Sequence, residues 1–313
     1  MAGEHKFGKR AGMIYAPVDL PKVPDHPTEA KEPVYNGVII RMVKAILRAQ
    51  GVRITVFGAE NIPAAGGALL AVNHTGYYDF IFGGIPAHLR GRRLVRFMAK
   101  KEIFDTPVAG PLMRAMKHVS VDRSSGASSL DEAVAHLRSG QLVGIFPEAT
   151  ISRSFELKDF KNGAVRIAAE AGTPLLPVVI WGSQRLWTKD HPKRLGRTNT
   201  PVFIRVGEPV DPGGDTDEAI ERLKDAMQIL LERVRDDYNR AYGPFPAGEF
   251  WIPAAAGGAA PTLDDAAEID RAARAARAEK KEKKAAAKLD KRADAALGNA
   301  RTFIDSMKEK FRR

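Results

Sequence analysis

Ala68-Leu69-Leu70-Ala71-Val72-Asn73-His74-Thr75-Gly76-Tyr77-Tyr78-Asp79 is an apolar run that stops at a polar pair, turns at a glycine and opens a second apolar stretch. Five consecutive apolar residues ended by turn signals predict a strand buried on both faces, and the pattern over 78–88 predicts a helix. The same alternation continues outward. Strand patterns fall at 53–57, 94–99, 118–121, 143–146, 175–180 and 202–206. Helical patterns fall at 108–116, 129–138, 163–171 and 216–242. Strand and helix in alternation predict an α/β fold: a single, largely parallel mixed sheet flanked by helices.

The flanks read differently. Residues 1–35 are polar and proline-rich and are expected to form a draped arm. Asn36 then reads as the N-cap of an amphipathic helix over 36–50, with Val38, Ile39, Met42, Val43, Ile46 and Leu47 on one side and Arg41, Lys44 and Arg48 on the other. A basic amphipathic helix suits a membrane surface, and it suits a helix docked on a core equally well. The expected catalytic domain is 51–245. A Pro/Gly/Ala linker is expected over 246–263, and 264–313, rich in Ala, Lys, Arg and Glu, reads as a basic helical tail.

The 313 residues carry a formal charge of +11, which implies an anionic partner: nucleic acid, an anionic bilayer or a phosphorylated substrate. The absence of cysteine excludes disulfides, thiolate metal sites and a cysteine acyl-enzyme. Residues 1–32 contain no apolar core of a secretory signal. The best candidate for a membrane span, 68–87, includes Asn73, His74 and Asp79 and is interrupted by Gly76, Gly83 and Gly84, so attachment on the membrane is expected, not passage through it.

His74 and Asp79 stand where a strand ends and a helix begins, the edge at which open α/β sheets bind ligands. On one straight helix, five residues advance a side chain by about 500°, so the two meet only if His74 lies in the turn and Asp79 enters from the helix start. Gly76 eases that turn. A carboxylate on one imidazole nitrogen fixes the tautomer and leaves the other nitrogen as a general base. On spacing alone, a capping histidine and a helix-start aspartate with structural duties is the readier reading. There is no G-x-S-x-G elbow, no H-E-x-x-H, no Walker A loop and no G-x-G-x-x-G. A base without a protein nucleophile points to a hydroxyl on the substrate and to direct transfer, without a resident metal or cofactor.

Three further blocks follow in order. They are Val119-Ser120-Val121-Asp122-Arg123, then Phe146-Pro147-Glu148-Ala149-Thr150-Ile151-Ser152-Arg153-Ser154, then Leu175-Leu176-Pro177-Val178-Val179-Ile180. Together with Asn73, His74 and Asp79 they make the chain, over roughly 51–209, resemble the glycerolipid acyltransferase family. Its lysophosphatidic acid members carry N-H-x4-D, a strand followed by arginine, F-P-E-G-T-R-S, and an apolar strand with an internal proline. The resemblance implies that His74 deprotonates a glycerol hydroxyl, which attacks an acyl thioester, and that Asp79 orients His74. It implies that Arg123 binds the acceptor phosphate, Glu148 holds the glycerol portion, and Thr150 and Arg153 shape the same site. Asn73, Lys100 and Lys161 are further candidates. Two positions depart from the pattern: Ala149 replaces the family's glycine and Ile151 its arginine, with Arg153 two places later.

The resulting expectation is transfer of a fatty acyl group from acyl-CoA or acyl carrier protein to lysophosphatidic acid, giving phosphatidic acid. The enzyme would sit peripherally or monotopically on anionic lipid at the cytoplasmic face. The same chemistry on glycerol 3-phosphate, another lysophospholipid or a glycolipid is the alternative. A nucleic-acid-binding protein using the basic tail is a distant one, since the basic segments lack interleaved aromatics; an inactive membrane scaffold would not need the His74/Asp79 pair.

Overall fold

A computed structural model describes residues 6–122, 126–280, 282, 283 and 286. The chain divides into two compact units, Met1–Ala260 and Pro261–Arg313. In the first, β1 (Phe7–Ala11) and β2 (Ile14–Pro17) precede α1 (Ile40–Ala49), β3 (Arg53–Phe57) and β4 (Ala68–Val72). Next come α2 (Asp79–Leu89), β5 (Val95–Lys100), α3 (Lys101–Phe104), α4 (Ala109–Ala115), β6 (Val119–Val121), α5 (Gly126–Arg138) and β7 (Leu142–Ile145). The unit continues with α6 (Gly163–Ala171), β8 (Leu175–Trp181), β9 (Pro201–Val206) and α7 (Thr216–Tyr242).

Nine strands form one sheet in the order β1-β2-β3-β9-β8-β4-β7-β5-β6. Pairing is parallel except between β1 and β2 and between β8 and β9. This is the largely parallel mixed sheet expected from the alternation. Its faces follow from strand periodicity. Leu69, Ala71, Leu175 and Val179 point to one core, shared with α5, α6 and α7. Ala68, Leu70, Val72, Leu176, Val178 and Ile180 point to the other, which takes Leu47 of α1 and Phe82 and Ile85 of α2. Pro177 and Val178 are therefore sheet interior. The consequence for function is directional: β7, β4 and β8 are parallel neighbours, so the loops that leave their C-terminal ends gather at one edge.

Three boundaries differ from expectation. The described part of the segment expected as a draped arm, residues 6–35, is not one: β1 and β2 extend the sheet, and Glu29 is buried. Its carboxylate accepts from Arg93 Nη2 at 2.9 Å and from the Leu94 N–H at 2.6 Å. Arg93 is itself fully buried, and an unpaired guanidinium there would be costly, so this segment is tied to the core by charge. Asn36 does not cap a helix. It is buried within a π-helical turn, Pro33–Ile39, that runs directly into α1, and its amide donates to the carbonyls of Glu29 and Arg92 at 2.9 and 3.0 Å. The stretch after α7 is not a free linker up to residue 260. Trp251 is buried against Phe245, Tyr238 and Trp181, with the Arg185 guanidinium 4.4 Å from its ring centroid. Apolar aromatic area outweighs the loose composition around it.

The second unit is helical over 263–280. The amphipathic pattern expected beyond it, from Leu289 to Phe311, lies outside the described residues. Among the described residues no helix is long and apolar enough to cross a membrane.

Candidate active site

His74 leaves the end of β4 and is held from three sides. Its Nδ1 lies 3.0 Å from Oδ2 of Asp79, the first residue of α2. Its imidazole stacks on Phe146, beyond the end of β7, with centroids 4.1 Å apart and planes 21° apart. Its backbone N–H donates to Oε1 of Glu148 at 2.8 Å, and its carbonyl accepts from the Ser152 N–H at 2.7 Å. With Nδ1 committed to the carboxylate, Nε2 is the nitrogen available to a substrate proton. The imidazole keeps one-fifth of its surface exposed, whereas Asp79 is fully buried.

A buried carboxylate must find donors. Asp79 Oδ2 also accepts from the backbone N–H groups of Thr75 and Gly76, at 2.6 and 2.7 Å. Its Oδ1 accepts from the hydroxyl of Ser183, just past β8, at 2.5 Å. The five-residue spacing thus works as a turn wrapped around a carboxylate at a helix N-terminus, where negative charge is favoured. Gly76 serves close backbone packing as well as the turn. A Cβ there would come within 3.0 Å of the Trp187 carbonyl and 3.3 Å of the Ser183 backbone.

Asn73 locks this turn to β8: its amide donates to the Ile180 carbonyl at 3.1 Å and its oxygen accepts the Ile180 N–H at 2.7 Å. Its role is backbone anchoring. Glu148 is buried, and burial pushes its carboxyl up to about 7, partly offset by the donated N–H of His74 and the nearby Lys158. Thr150 accepts from Lys158 Nζ at 2.5 Å. Arg153 is buried and donates from Nε to Asp190 at 2.5 Å. Lys100 ends β5 at the same sheet edge, and Lys161 hydrogen-bonds through its backbone to Pro147; both side chains are exposed. Arg123 lies outside the described residues, immediately after Asp122, whose carboxylate pairs with Lys101 at 2.7 Å.

The sequence did not single out Ser183, Thr188 or Lys189. Thr188 donates to the Thr75 carbonyl at 2.7 Å and Lys189 to the Ile151 carbonyl at 2.9 Å, so the segment after β8 straps the His74 turn to the loop after β7. Among the described residues, no cluster of three metal-ligating side chains is assembled. A stacked, carboxylate-bound imidazole with one free nitrogen can take a proton from a bound hydroxyl.

An acyltransferase family model matches residues 53–181. The chain is 30% identical to the 1-acyl-sn-glycerol-3-phosphate acyltransferase of Bacillus subtilis over 203 residues, 63% of this chain and 94% of that one. It is 28% identical to the enzyme of the same name from Borreliella burgdorferi over 175 residues, 54% of this chain and 66% of that one. Among solved structures, the 1-acyl-sn-glycerophosphate acyltransferase PlsC of Thermotoga maritima superposes with a TM-score of 0.50 at 25% identity, covering 66% of this chain and 85% of that one.

Proposed function

The chain belongs to the acyltransferase family, and we propose that it acylates the free glycerol hydroxyl of lysophosphatidic acid to give phosphatidic acid. The observation that carries this reading is His74, bound through Nδ1 to buried Asp79 and stacked on Phe146, with Nε2 left for a substrate. His74 Nε2 takes the hydroxyl proton as the oxygen attacks the thioester carbonyl of acyl-CoA or acyl-acyl carrier protein. The tetrahedral intermediate collapses, the carbon–sulfur bond breaks, and the imidazolium returns its proton to the thiolate. Phosphatidic acid and the free thiol leave. Asp79 balances the imidazolium charge that exists only during transfer, which is where stabilisation accelerates a reaction.

Glu148, fixed by two backbone donors, presents a carboxyl to the acceptor's glycerol portion. Arg123, two residues past the end of β6 in the sequence, supplies a bidentate donor for the phosphate. Lysophosphatidic acid is favoured over other acceptors by the four ordered blocks and by the names of the relatives.

The site works at a membrane surface. Val34, Val38, Met42 and Ile46 recur at four-residue intervals along the π-helical turn and α1, all exposed, with Arg41 and Arg48 exposed beside them. An apolar stripe flanked by cations inserts shallowly into anionic lipid, each cation near the bilayer adding about 1 kcal/mol. The cytoplasmic face supplies both the donor and anionic headgroups. The test is an acceptor panel with one acyl-CoA: lysophosphatidic acid, glycerol 3-phosphate, lysophosphatidylcholine and a glycolipid. A higher kcat/KM for any of the last three than for lysophosphatidic acid overturns the acceptor assignment.

A further inference from the structure

Asp79 is the hydrogen-bond partner of His74 Nδ1, and part of what holds Asp79 comes from a distant stretch of the chain. Its two oxygens are treated differently. Oδ2 receives three donors from its own turn: His74 Nδ1, the Thr75 N–H and the Gly76 N–H. Oδ1 receives one, the hydroxyl of Ser183, which stands 104 residues away and is fully buried. Ser183 Oγ also lies 3.1 Å from Thr75 Oγ1. With Thr75 donating to Ser183 and Ser183 to Asp79, all three groups are satisfied in one chain of hydrogen bonds.

The backbone around Ser183 is shaped for this task. Gly182, at φ +100°, turns the chain as it leaves β8. Gly76 eases a tight approach of the Ser183 backbone, which a Cβ there would meet at 3.3 Å. Without the hydroxyl, Oδ1 would be a buried anionic oxygen lacking that donor, and only the donors on Oδ2 would oppose rotation of the carboxylate about its last bond. Rotation takes Oδ2 off the imidazole line.

We propose that Ser183 is a positioning residue of the catalytic pair: its hydroxyl fixes the rotation of the Asp79 carboxylate and so the orientation and tautomer of His74. It touches neither substrate. The inference rests on the acyltransferase reading for its kinetic consequence but not for its geometric one.

The test uses the full chain with Ser183→Ala, Ser183→Thr, Asp79→Asn and the double variant Ser183→Ala/Asp79→Asn. Ser183→Ala is expected to lower kcat by about 10-fold with KM for donor and acceptor unchanged, as for an interaction made in the transition state only. Ser183→Thr, which keeps the hydroxyl, restores most of it. In the Asp79→Asn background the Ser183 substitution costs less than 2-fold, because the group it acts through is gone. The imidazole 15N signals of His74, assigned by their loss in His74→Ala, shift in Ser183→Ala and return in Ser183→Thr. If the alanine variant does not fold, Ser183→Cys, a much weaker donor of similar size, takes its place. Equal losses in both backgrounds, or unmoved His74 signals, overturn the proposal. A wild type that acylates nothing, with His74 signals that still respond to Ser183, would sink the activity and leave the positioning role standing.

Discussion

The backbone N–H of His74 donates to the Glu148 carboxylate across 2.8 Å, joining two segments 74 residues apart in sequence. It places the proposed general base and the residue proposed to hold the acceptor just past the ends of adjacent parallel strands, β4 and β7. That bond also explains part of the chemistry of Glu148, since a donated N–H favours the charged form while burial opposes it.

Glu148 sets a pH dependence of stability. Burial raises its carboxyl from 4.5 to about 7. The folded state therefore holds the proton more tightly than the unfolded chain, and the associated stability is complete below pH 4.5 and lost as pH rises through 7. Each pH unit in that window removes about 1 kcal/mol. Thermal melts of Glu148→Gln and wild type should differ little at pH 4.5, and the variant should gain on the wild type by pH 8. The same variant is expected to raise KM for the acceptor.

A buried histidine produces the opposite slope. His118 accepts the Phe97 N–H at Nδ1 at 2.9 Å, so its ring is neutral there, and burial with the nearby Arg96 pushes it down from 6.5 to about 4. The unfolded chain binds the proton first, so stability falls as pH drops from 6.5 toward 4, again by about 1 kcal/mol per unit. In denaturant titrations His118→Gln, whose amide oxygen can accept the same N–H, should flatten this acid slope. An unchanged slope would assign acid sensitivity elsewhere.

Ala149 occupies the position where the family pattern has glycine, and its φ is +59°. A Cβ in the left-handed region costs roughly 1 kcal/mol. Ala149→Gly is expected to raise the melting temperature or leave it level despite the added freedom of the unfolded chain, with activity retained. A loss of several degrees would show that the alanine methyl packs against something essential.

Trp251 tests how far the first unit extends. It is 1% exposed and meets Trp181, Tyr238 and Phe245. Trp251→Ala should destabilise by about 3 kcal/mol or more, as for a large aromatic removed from a packed core. A free linker would tolerate it.

How much of this was readable beforehand depends on how local the signal is. The strands from 53 to 206 were legible because each is a short apolar run, and Arg53–Phe57 and Ala68–Val72 fall where the pattern puts them. β1 and β2 were not: the edge strand β1 carries Lys9 and Arg10, and β2 is only four residues long and ends in Pro17. Trp251 and Phe245 were hidden by the Gly, Pro and Ala around them. In the site, His74, Asp79 and Glu148 could be found from ordered blocks. Ser183 and Thr188 could not, since their bonds to the His74 turn span 104 and 113 residues and depend on the register of β8 against β4.

The most direct measurement of the account is phosphatidic acid formed by the purified chain in lipid or detergent from lysophosphatidic acid and acyl-CoA, wild type against His74→Ala. With His74 as general base, the wild type forms the product and the variant is slower by at least about 100-fold. A wild type that forms none, or a variant that keeps pace with it, contradicts the assignment of His74 to acyl transfer.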